Sequence, residues 1–332
     1  MNRTALMITQ TGGGCRATNY IAFIRKALKD MGYGHIPVIA LSAAGLESNS
    51  GFNVSLPLIN KAVMAICYGD LFMRVLYRVR PYEKEKGSAN ALYYKWNEIC
   101  KKAVTKGSIS EYRRNVKMIV RDFDKLPITD EKKPRVGLVG EILVKYHPTA
   151  NNFAVELVEE EGAEAVVLDM VDFFLYSIYV SIFKHEKLAG SKKTSNIAKI
   201  LIKAIEMYRK PMRNALEKSE RFDQPCNIYE MAELANEVLS LGNCTGEGWL
   251  LTAEMIELIH SGAPNIICMQ PFACLPNHVT GKGMIKALRK HYPEANIAAV
   301  DYDPGASEVN QLNRIRLMLS SAFDKINKEN NS

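Results

Sequence analysis

Short apolar runs alternate with stretches of helical periodicity along this chain, and this alternation constrains its fold more than any other feature. At the start, residues 4–11 (TALMITQT) predict a buried strand, residues 18–31 a helix and residues 36–41 (IPVIAL) a second strand. Helical crossovers join strands that lie parallel in one sheet. The chain is therefore expected to form an α/β fold with parallel sheets.

A second α/β unit follows residues 127–134 (PITDEKKP), a polar stretch with two prolines that predicts a linker. Before the linker, helices are expected over about residues 56–82 and onward to about residue 125. Beyond it, strands are expected at 135–139, 165–169, 265–269 and 297–300. Helices are expected at 152–161, 172–184, 195–218, 228–241, 249–260, 281–291 and 309–325. The expected domains are a first lobe with a helical segment at 1–130, a second lobe at 134–327 and a polar tail at 328–332.

The first lobe contains only two clear strands, which is few for a free-standing doubly wound sheet. Three explanations stay open at this point. The sheet is small, the chain is part of something longer, or a partner chain completes this lobe.

The composition indicates a soluble globular protein, because 47% of its 332 residues are hydrophobic and 24% are charged. No apolar run reaches the roughly 18 residues of a membrane helix, and the N-terminus lacks the long apolar region of a signal peptide. Seven irregularly spaced cysteines do not suggest a disulfide framework. We therefore expect reduced thiols, a cytoplasmic location and no membrane partner.

The formal net charge of +7 comes from basic residues that are spread along the helices rather than gathered in blocks. Aromatic residues do not alternate with them as a nucleic-acid platform requires. Nucleic acid is therefore not expected as a partner. A mild basic excess suits an anionic ligand such as a CoA thioester.

Three cysteines lie where an α/β fold builds its binding sites. Cys15 follows the first strand in TGGGCRATNY, Cys274 follows a later strand, and Cys244 lies between two helices in GNCTGEG. Ligands of open α/β sheets gather beyond the carboxyl ends of strands, so at least two of these thiols are predicted to point into crevices. Soft thiolates match iron in iron–sulfur clusters. Three thiolates would leave one iron of a four-iron cluster open to a substrate oxygen.

The other cysteines are interpreted as structural, because a cysteine is commonly a small buried hydrophobe. Cys67, Cys100 and Cys268 each lie within an apolar helix or strand, and Cys226 lies in the loop FDQPCN. No CxxC pair occurs in the chain, so spacing alone leaves both interpretations open for the remaining thiols.

A zinc site is an alternative use of the same residues. Cys268, Cys274 and His278 together with Cys244 offer the four nitrogen or sulfur ligands that zinc prefers. Their C-x5-C and C-x3-H spacings differ from the usual zinc knuckle, which disfavours this interpretation.

Residues 12–17 (GGGCRA) match the dinucleotide-binding pattern G-x-G-x-x-A between a strand and a helix. Gly12, Gly13, Gly14 and Arg16 are therefore candidate cofactor contacts, since glycines let the backbone approach a bulky group. A dinucleotide would also need an acidic residue at the end of the second strand, and none occurs before Glu47. A P-loop is disfavoured too, because residues 281–283 (GKG) lack the earlier glycine and the Ser/Thr.

Glu141, Lys145 and His147 follow the strand at 135–139 and are expected to border the second crevice. They are candidates for substrate binding or for general acid and base catalysis. The ordinary alternative is a solvated loop histidine with unremarkable neighbours. Glu247, close to Cys244, can likewise be explained as a first-turn helix carboxylate.

Five stretches of the sequence resemble one protein family: residues 10–28, 68–83, 137–152, 242–259 and 270–319. They are similar to the C-terminal, dehydratase-subunit-like region of the large activase-related proteins of the 2-hydroxyacyl-CoA dehydratase family. The resemblance covers nearly the whole chain, and its motifs are long and specific. It implies two flavodoxin-like lobes with a [4Fe-4S] iron–sulfur cluster between them, held by Cys15, Cys244 and Cys274.

The resemblance also implies a function and a partner. The family's large proteins carry an ATP-binding activator region that this chain lacks, so an ATP-dependent activator domain or subunit is expected to deliver one low-potential electron. The reduced cluster would then reduce an acyl-CoA substrate to a ketyl radical, or pass the electron on. The alternative is a non-catalytic assembly or relay subunit. Family members often carry a further cysteine upstream of TGGGCR, without a counterpart here, so the full ligand set stays open.

Overall fold

The computed structural model describes residues 4–9, 15–41, 55–303, 305 and 307–330. This part of the chain is mostly helical and contains two parallel sheets, so the predicted α/β class is confirmed. The strands are β1 (Leu6–Thr9), β2 (Val38–Leu41), β3 (Arg135–Gly140), β4 (Glu164–Val167), β5 (Asn265–Gln270) and β6 (Asn296–Asp301). The helices are α1 (Tyr20–Asp30), α2 (Leu56–Val79), α3 (Ser88–Lys106), α4 (Ile109–Asp124), α5 (Ile142–Tyr146), α6 (Ala154–Glu160), α7 (Val171–Lys187), α8 (Lys192–Leu216), α9 (Ile228–Asn236), α10 (Trp249–His260), α11 (Ile285–His291) and α12 (Glu308–Asn330).

The first sheet is the strand–helix–strand unit that the sequence predicts. β1 and β2 pair in parallel, with Leu6 opposite Val38. α1 crosses between them after a 3-10 turn, and its Ile21 packs with Val38 and Ala40. The glycine run at residues 12–14 and the acidic Glu47 lie outside the described residues.

The second sheet has four parallel strands in the order β4-β3-β5-β6. The central strands β3 and β5 are buried on both faces, which explains their continuous apolar sequences. Two glycines let β3 approach its neighbours. A Cβ on Gly137 would lie 2.5 Å from Cδ1 of Leu258 in α10, and a Cβ on Gly140, whose φ is 153°, would lie 1.9 Å from the carbonyl oxygen of Met269.

A helical layer precedes the second sheet along the chain. α2, α3 and α4 share one core with the C-terminal half of α8, formed by residues that include Met64, Cys67, Leu71, Val75, Trp96, Cys100, Val116, Ile119, Phe123, Met212 and Leu216. The segment Leu56–Tyr82 is long and apolar enough to cross a membrane by length and composition. Its Arg74 and Arg78 pair with the buried carboxylates of Asp169 and Glu164, which suits a core helix.

Three predicted boundaries differ from the structure. The helix expected at 228–241 ends at Asn236, where the chain turns toward Gly242. The helix expected at 281–291 is preceded by a π turn, Asn277–Gly281, before α11 begins. The polar tail expected at 328–332 is helical as far as Asn330, where α12 ends. Earlier in α12, an apolar side packs against β6.

Candidate metal centre

The carboxyl edge of the second sheet brings the candidate ligands together. From β3 the chain passes to β4 on one side of the sheet, whereas β5 lies on the other side of β3. Such a reversal opens a crevice at the carboxyl ends of the two central strands, where α/β proteins bind ligands. Glu141 follows β3 directly, and Cys274 lies four residues after β5 ends at Gln270.

Cys15, Glu247 and Cys274 meet in this crevice and are called the ligand trio below. Their two sulfurs and a carboxylate oxygen all lie within 4.8 Å of one another. All three side chains are buried, with at most 4% of each residue exposed. They come from three remote segments: the residue before the 3-10 turn of α1, the loop before α10 and the loop after β5. Thiolates and a carboxylate in this arrangement can bind a metal ion.

Gly246 lets the loop before α10 approach Cys15. Its φ is +60°, a conformation that favours glycine. A Cβ at this position would lie 3.4 Å from the Cys15 sulfur and 2.7 Å from Cγ of Pro276. A larger residue here would therefore move the loop that carries Glu247 away from the two thiols.

Asn277 links two members of the ligand trio. Its Nδ2 donates to Oε2 of Glu247 at 3.0 Å and lies 3.4 Å from the sulfur of Cys274. The backbone around this side chain is unusual. Ala273 has a φ of 59°, uncommon for a residue other than glycine, and Asn277 begins the π turn. Strained residues and π turns occur frequently at functional sites.

Acidic groups accumulate around the trio, and burial raises their pKa values. Burial, together with the nearby Glu141 and Cys274, raises the pKa of Glu247 to about 8. Burial likewise raises the pKa of Glu141 to about 7, whereas the N–H groups of Val144 and Leu143 and a hydrogen bond with Tyr20 oppose the shift. A bound cation or retained protons would offset the negative charge of such a site.

Cys244 lies beside the trio but does not belong to it. Its sulfur is not among the atoms that lie within 4.8 Å of one another in the described part of the chain. The thiol is half-buried. Burial raises the pKa of Tyr176, and the nearby Cys244, Glu247 and Cys15 contribute to the same increase. Tyr176 in turn contacts the loop closely, because a Cβ on Gly248 would lie 2.3 Å from its hydroxyl oxygen.

Three buried polar atoms near the trio have no hydrogen-bond partner among the residues that the structure describes: Tyr176 Oη, Trp249 Nε1 and Asn277 Oδ1. Leaving such an atom unpaired costs about 1–3 kcal/mol, so native proteins usually satisfy it with water or a ligand. Asn277 is the residue that contacts Cys274 and Glu247. The unpaired atoms therefore fit a site that receives a further polar group.

The predicted catalytic residues separate in the structure. Glu141 is buried in the crevice and caps α5 by accepting the N–H of Val144 at 3.0 Å. Lys145 points into the protein and forms a fully buried ion pair with Glu254 of α10 at 2.8 Å. His147 is exposed at the end of α5. Of these three, only Glu141 lies beside the trio; residues 12–14 and the side chain of Arg16 lie outside what the structure describes.

Of the residues of the zinc alternative, Cys274 belongs to the trio, whereas Cys244, Cys268 and His278 do not join it in the described part of the chain. Burial raises the pKa of Cys268 to about 12, and its thiol lies 3.4 Å from Oε1 of Gln270. Nδ1 of His278 lies 3.0 Å from the carbonyl oxygen of Cys274. The cysteines interpreted as structural also have raised pKa values because they are buried, to about 12 for Cys67, Cys100 and Cys226.

Sequence reasoning missed the roles of Glu247, Tyr20 and Asn277 at this site. Glu247 stands between two glycines with positive φ, Gly246 and Gly248, in the motif GEG. That pattern indicates a tight loop, and a carboxylate at its centre was the available signal. Tyr20 and Asn277 carry no local signal, because their proximity to the trio depends on the tertiary fold.

Comparisons with known proteins do not assign this chain to a family. No protein-family profile matches it, and no curated protein or solved structure shows a significant match. Its function must therefore be inferred from the site and from the motifs of the sequence.

Proposed function

We propose that this protein is an iron–sulfur redox protein of the 2-hydroxyacyl-CoA dehydratase type, with its metal centre at the ligand trio. The observation that carries the proposal is the meeting of Cys15 and Cys274 with Glu247 within 4.8 Å in a buried crevice. Thiolates from remote segments rarely converge without a purpose, and soft sulfur ligands select iron–sulfur clusters, zinc or copper. Iron is favoured because the sequence motifs resemble that family.

The architecture around the trio supports the proposal. The order β4-β3-β5-β6 corresponds to second, first, third and fourth strand, which is the order in which a flavodoxin-like sheet begins. Cys15 precedes the helical segment formed by a 3-10 turn and α1, whose positive N-terminal end stabilises an anionic group. Two flavodoxin-like lobes remain part of the proposal.

Cys244 is the third ligand that we assign to the proposed cluster. Its loop contains Gly246 and Gly248, both with positive φ, and its thiol and Cys15 both raise the pKa of Tyr176. Tyr176 Oη and Trp249 Nε1 are buried and unpartnered in the described part of the chain, beside this loop. These donors would hydrogen-bond to acceptor atoms of a group held between the three thiols.

The residues of the chain would hold, shield and protonate the site. When bound, the cluster would supply one low-potential electron, received from an ATP-dependent activator domain or subunit, to an acyl-CoA substrate or to a further acceptor. Burial of the trio excludes water. Glu141, with its pKa near 7, retains a proton for part of the time and lies next to Tyr20. That carboxyl group is the proposed proton donor and acceptor.

A single metal ion is the second candidate. Ligand atoms around one tetrahedral ion lie under about 4 Å apart, given metal–sulfur bonds of about 2.3 Å. The separation of at most 4.8 Å in the trio, and the carboxylate of Glu247, are compatible with this smaller centre. A mononuclear zinc or iron site would make the protein a metalloprotein without a cluster.

Anaerobic purification followed by metal and sulfide analysis tests these possibilities. Iron with equimolar acid-labile sulfide and absorbance at about 400 nm supports a cluster. Zinc or iron without sulfide supports the single ion, and a metal-free, colourless protein contradicts both. Cys15→Ser and Cys274→Ser should each abolish metal retention, whereas Cys226→Ser, in the loop before α9, should not. Acyl-CoA dehydration assayed with and without an activator then distinguishes an enzyme from a relay subunit.

A further inference from the structure

The long helix α8 has an apolar side that faces solvent as well as one that faces the core. On its inner side, Ala198 and Ile202 join the core formed with α7 and α10, and Met212 joins the core of α2, α3 and α4. On its outer side, four large apolar side chains are exposed: Ile197 by 48%, Ile200 by 68%, Leu201 by 47% and Met207 by 56%. Helices of soluble proteins usually present a polar side to water, so this outer side indicates a further contact.

The four exposed side chains form one stripe, called the α8 stripe below. Ile197 is three and four residues before Ile200 and Leu201, and Met207 is seven residues after Ile200. Side chains at these spacings share one face of a helix. With a rise of 1.5 Å per residue, the stripe is about 15 Å long, which is nearly three turns. A second helix can therefore pack along it.

The first turn of α2 extends this apolar surface. The hydroxyl of Tyr208 donates to Oδ1 of Asn60 at 2.7 Å, which places the start of α2 beside α8. Leu56, one turn before Asn60, is 81% exposed, and Ile59 is 45% exposed. Tyr208 follows Leu201 by seven residues, so α2 adjoins the edge of the stripe that Leu201 forms. The exposed apolar surface therefore spans both helices.

The other edge of the stripe carries a row of lysines. Four exposed lysines, separated by seven, four and seven residues, lie in line along α8: Lys192, Lys199, Lys203 and Lys210. Lys203 lies three residues after Ile200 and four before Met207, so the row borders the stripe directly. None of the four forms an ion pair in the described part of the chain, and the one carboxylate of α8, Glu206, pairs with Arg209 and Arg213.

The charge along this single edge selects the occupant. A helix that packs on the stripe places one of its own edges against the lysine row. Carboxylates on that edge would form ion pairs across the contact, and basic residues there would be repelled. The opposite edge meets Leu56 and Ile59 of α2, where the first turn carries no acidic residue. The surface therefore fits a helix that is apolar on one side and acidic along one edge.

A second copy of this chain and a lipid bilayer both fit the surface less well. In an antiparallel pair of α8 helices related by a two-fold axis, equal edges meet, so lysine would oppose lysine. In a parallel pair the lysine row would meet the Leu201 edge, which carries no carboxylate. A bilayer would contact aliphatic side chains only, without the Trp or Phe that interfacial helices commonly insert.

We propose that the α8 stripe binds an amphipathic helix of a partner protein that carries Glu or Asp along one edge. The apolar side of that helix packs on Ile197, Ile200 and Met207, with Leu56 of α2 at the far edge, and its carboxylates face the lysine row. Helices that dock in this way are recognised through apolar residues three, four and seven positions apart. The proposal is independent of the metal centre, since no member of the ligand trio lies on α2 or α8.

The test uses a synthetic helix made of three repeats of LQALEAQ, whose leucines form an apolar side and whose glutamates form one edge. The intact protein is titrated into a trace of the fluorescently labelled peptide, and binding is followed by anisotropy. Saturable binding is expected, and the analogue with lysine in place of glutamate should bind at least tenfold more weakly. No binding at submillimolar protein, or equal binding of the two peptides, would overturn the proposal.

Two surface variants locate the binding, each with a matched control. Ile200→Ser should weaken binding of the glutamate peptide at least tenfold, whereas Leu317→Ser on α12, where the leucine is 75% exposed, should not. Lys203→Glu should weaken it similarly and strengthen binding of the lysine peptide, whereas Lys286→Glu, at an exposed position of α11, should change neither. Effects of equal size in a variant and its control would show that the peptide binds elsewhere.

Sedimentation of the protein, alone and with phosphatidylglycerol vesicles, tests the other two occupants. The expected result is that Ile200→Ser changes neither the oligomeric state nor the vesicle-bound fraction. A dimer that Ile200→Ser dissociates would assign the stripe to a second copy of the chain. Vesicle binding that Ile200→Ser abolishes would assign it to a lipid surface, and either result would contradict the proposal.

Discussion

Asn277 donates its side-chain N–H to Oε2 of Glu247 at 3.0 Å, and this bond orients a carboxylate of the ligand trio from a residue 30 positions away. The same nitrogen lies 3.4 Å from the sulfur of Cys274. Glu247 also accepts from the backbone N–H of Ile142 at 3.3 Å, directly after β3. The side-chain amide of Asn277 therefore fixes the relative positions of two ligands, Glu247 and Cys274, that come from different loops.

Asn277→Ala is expected to lower metal affinity by about 10–100-fold, because hydrogen bonds that orient metal ligands usually contribute that much. Competition with a chelator of known affinity measures the effect. Asn236→Ala, at the exposed end of α9, is the control and should leave affinity unchanged. Equal affinities of the Asn277 variant and the native protein would show that Asn277 does not support the metal centre.

Gly140→Ala is expected to destabilise the protein by about 3 kcal/mol or more, since a positive φ and a backbone clash act together. The new Cβ would lie 1.9 Å from the carbonyl oxygen of Met269. That carbonyl accepts the N–H of Glu141 at 3.0 Å, so the crevice would be distorted as well.

The matched control for that change is Gly69→Ala in α2, where a Cβ has no neighbour within 4 Å. It should stabilise the protein by about 0.5–1 kcal/mol, because alanine is the better helix former. Urea unfolding measures both variants. A loss of stability at Gly69 similar to that at Gly140 would contradict the steric explanation.

The sequence was sufficient to predict the elements whose pattern is local. α10 runs from Trp249 to His260, as the sequence predicts. Nearly all of its residues are buried, which agrees with its apolar composition. Cys15 and Cys274 were predicted to face a crevice because they follow strands, and they lie together in one. Each thiol follows the carboxyl end of a strand, so the expectation of a crevice needs no tertiary detail. That Cys15 and Cys274 share one crevice depends on the tertiary fold, because they follow strands of different sheets.

Residues whose role depends on the neighbouring helix could not be predicted in this way. Lys145 follows β3 closely, which suggested a crevice, yet its side chain points toward Glu254 of α10. The sequence allows Glu247 to be interpreted as an ordinary carboxylate in the first turn of a helix, although the loop before α10 places it beside two thiols. Neither direction is encoded in spacing along the chain, since both depend on how α10 packs against β3.

Asp70 should make the stability of the protein fall as pH rises. Burial and the neighbouring Asp169 raise the pKa of Asp70 from 3.8 to about 7, although it accepts the N–H groups of Met170 and Val171. Between these two pH values the folded protein binds more protons at Asp70 than the unfolded chain does. The free energy of unfolding therefore decreases from about pH 4 to about pH 7 through this group.

Asp70→Asn should remove that contribution, so its unfolding free energy should depend less on pH between about 4 and 7. Urea unfolding of both proteins at several pH values in this window provides the measurement. Asp122→Asn, a carboxyl side chain at the end of α4, is the control and should keep the native slope. If the Asn variant at position 70 retains the native slope, another group is responsible for it.

Lys145→Met distinguishes a structural lysine from a catalytic one. Its ammonium group is fully buried and pairs with Glu254 at 2.8 Å. Removing one partner of such a pair costs about 3–5 kcal/mol, because the other charge stays buried without compensation. The double variant Lys145→Met, Glu254→Leu should recover most of that stability. If Lys145 were catalytic, both variants would lose activity, and the single variant would still unfold at the urea concentration of the native protein. That result would return Lys145 to the active site.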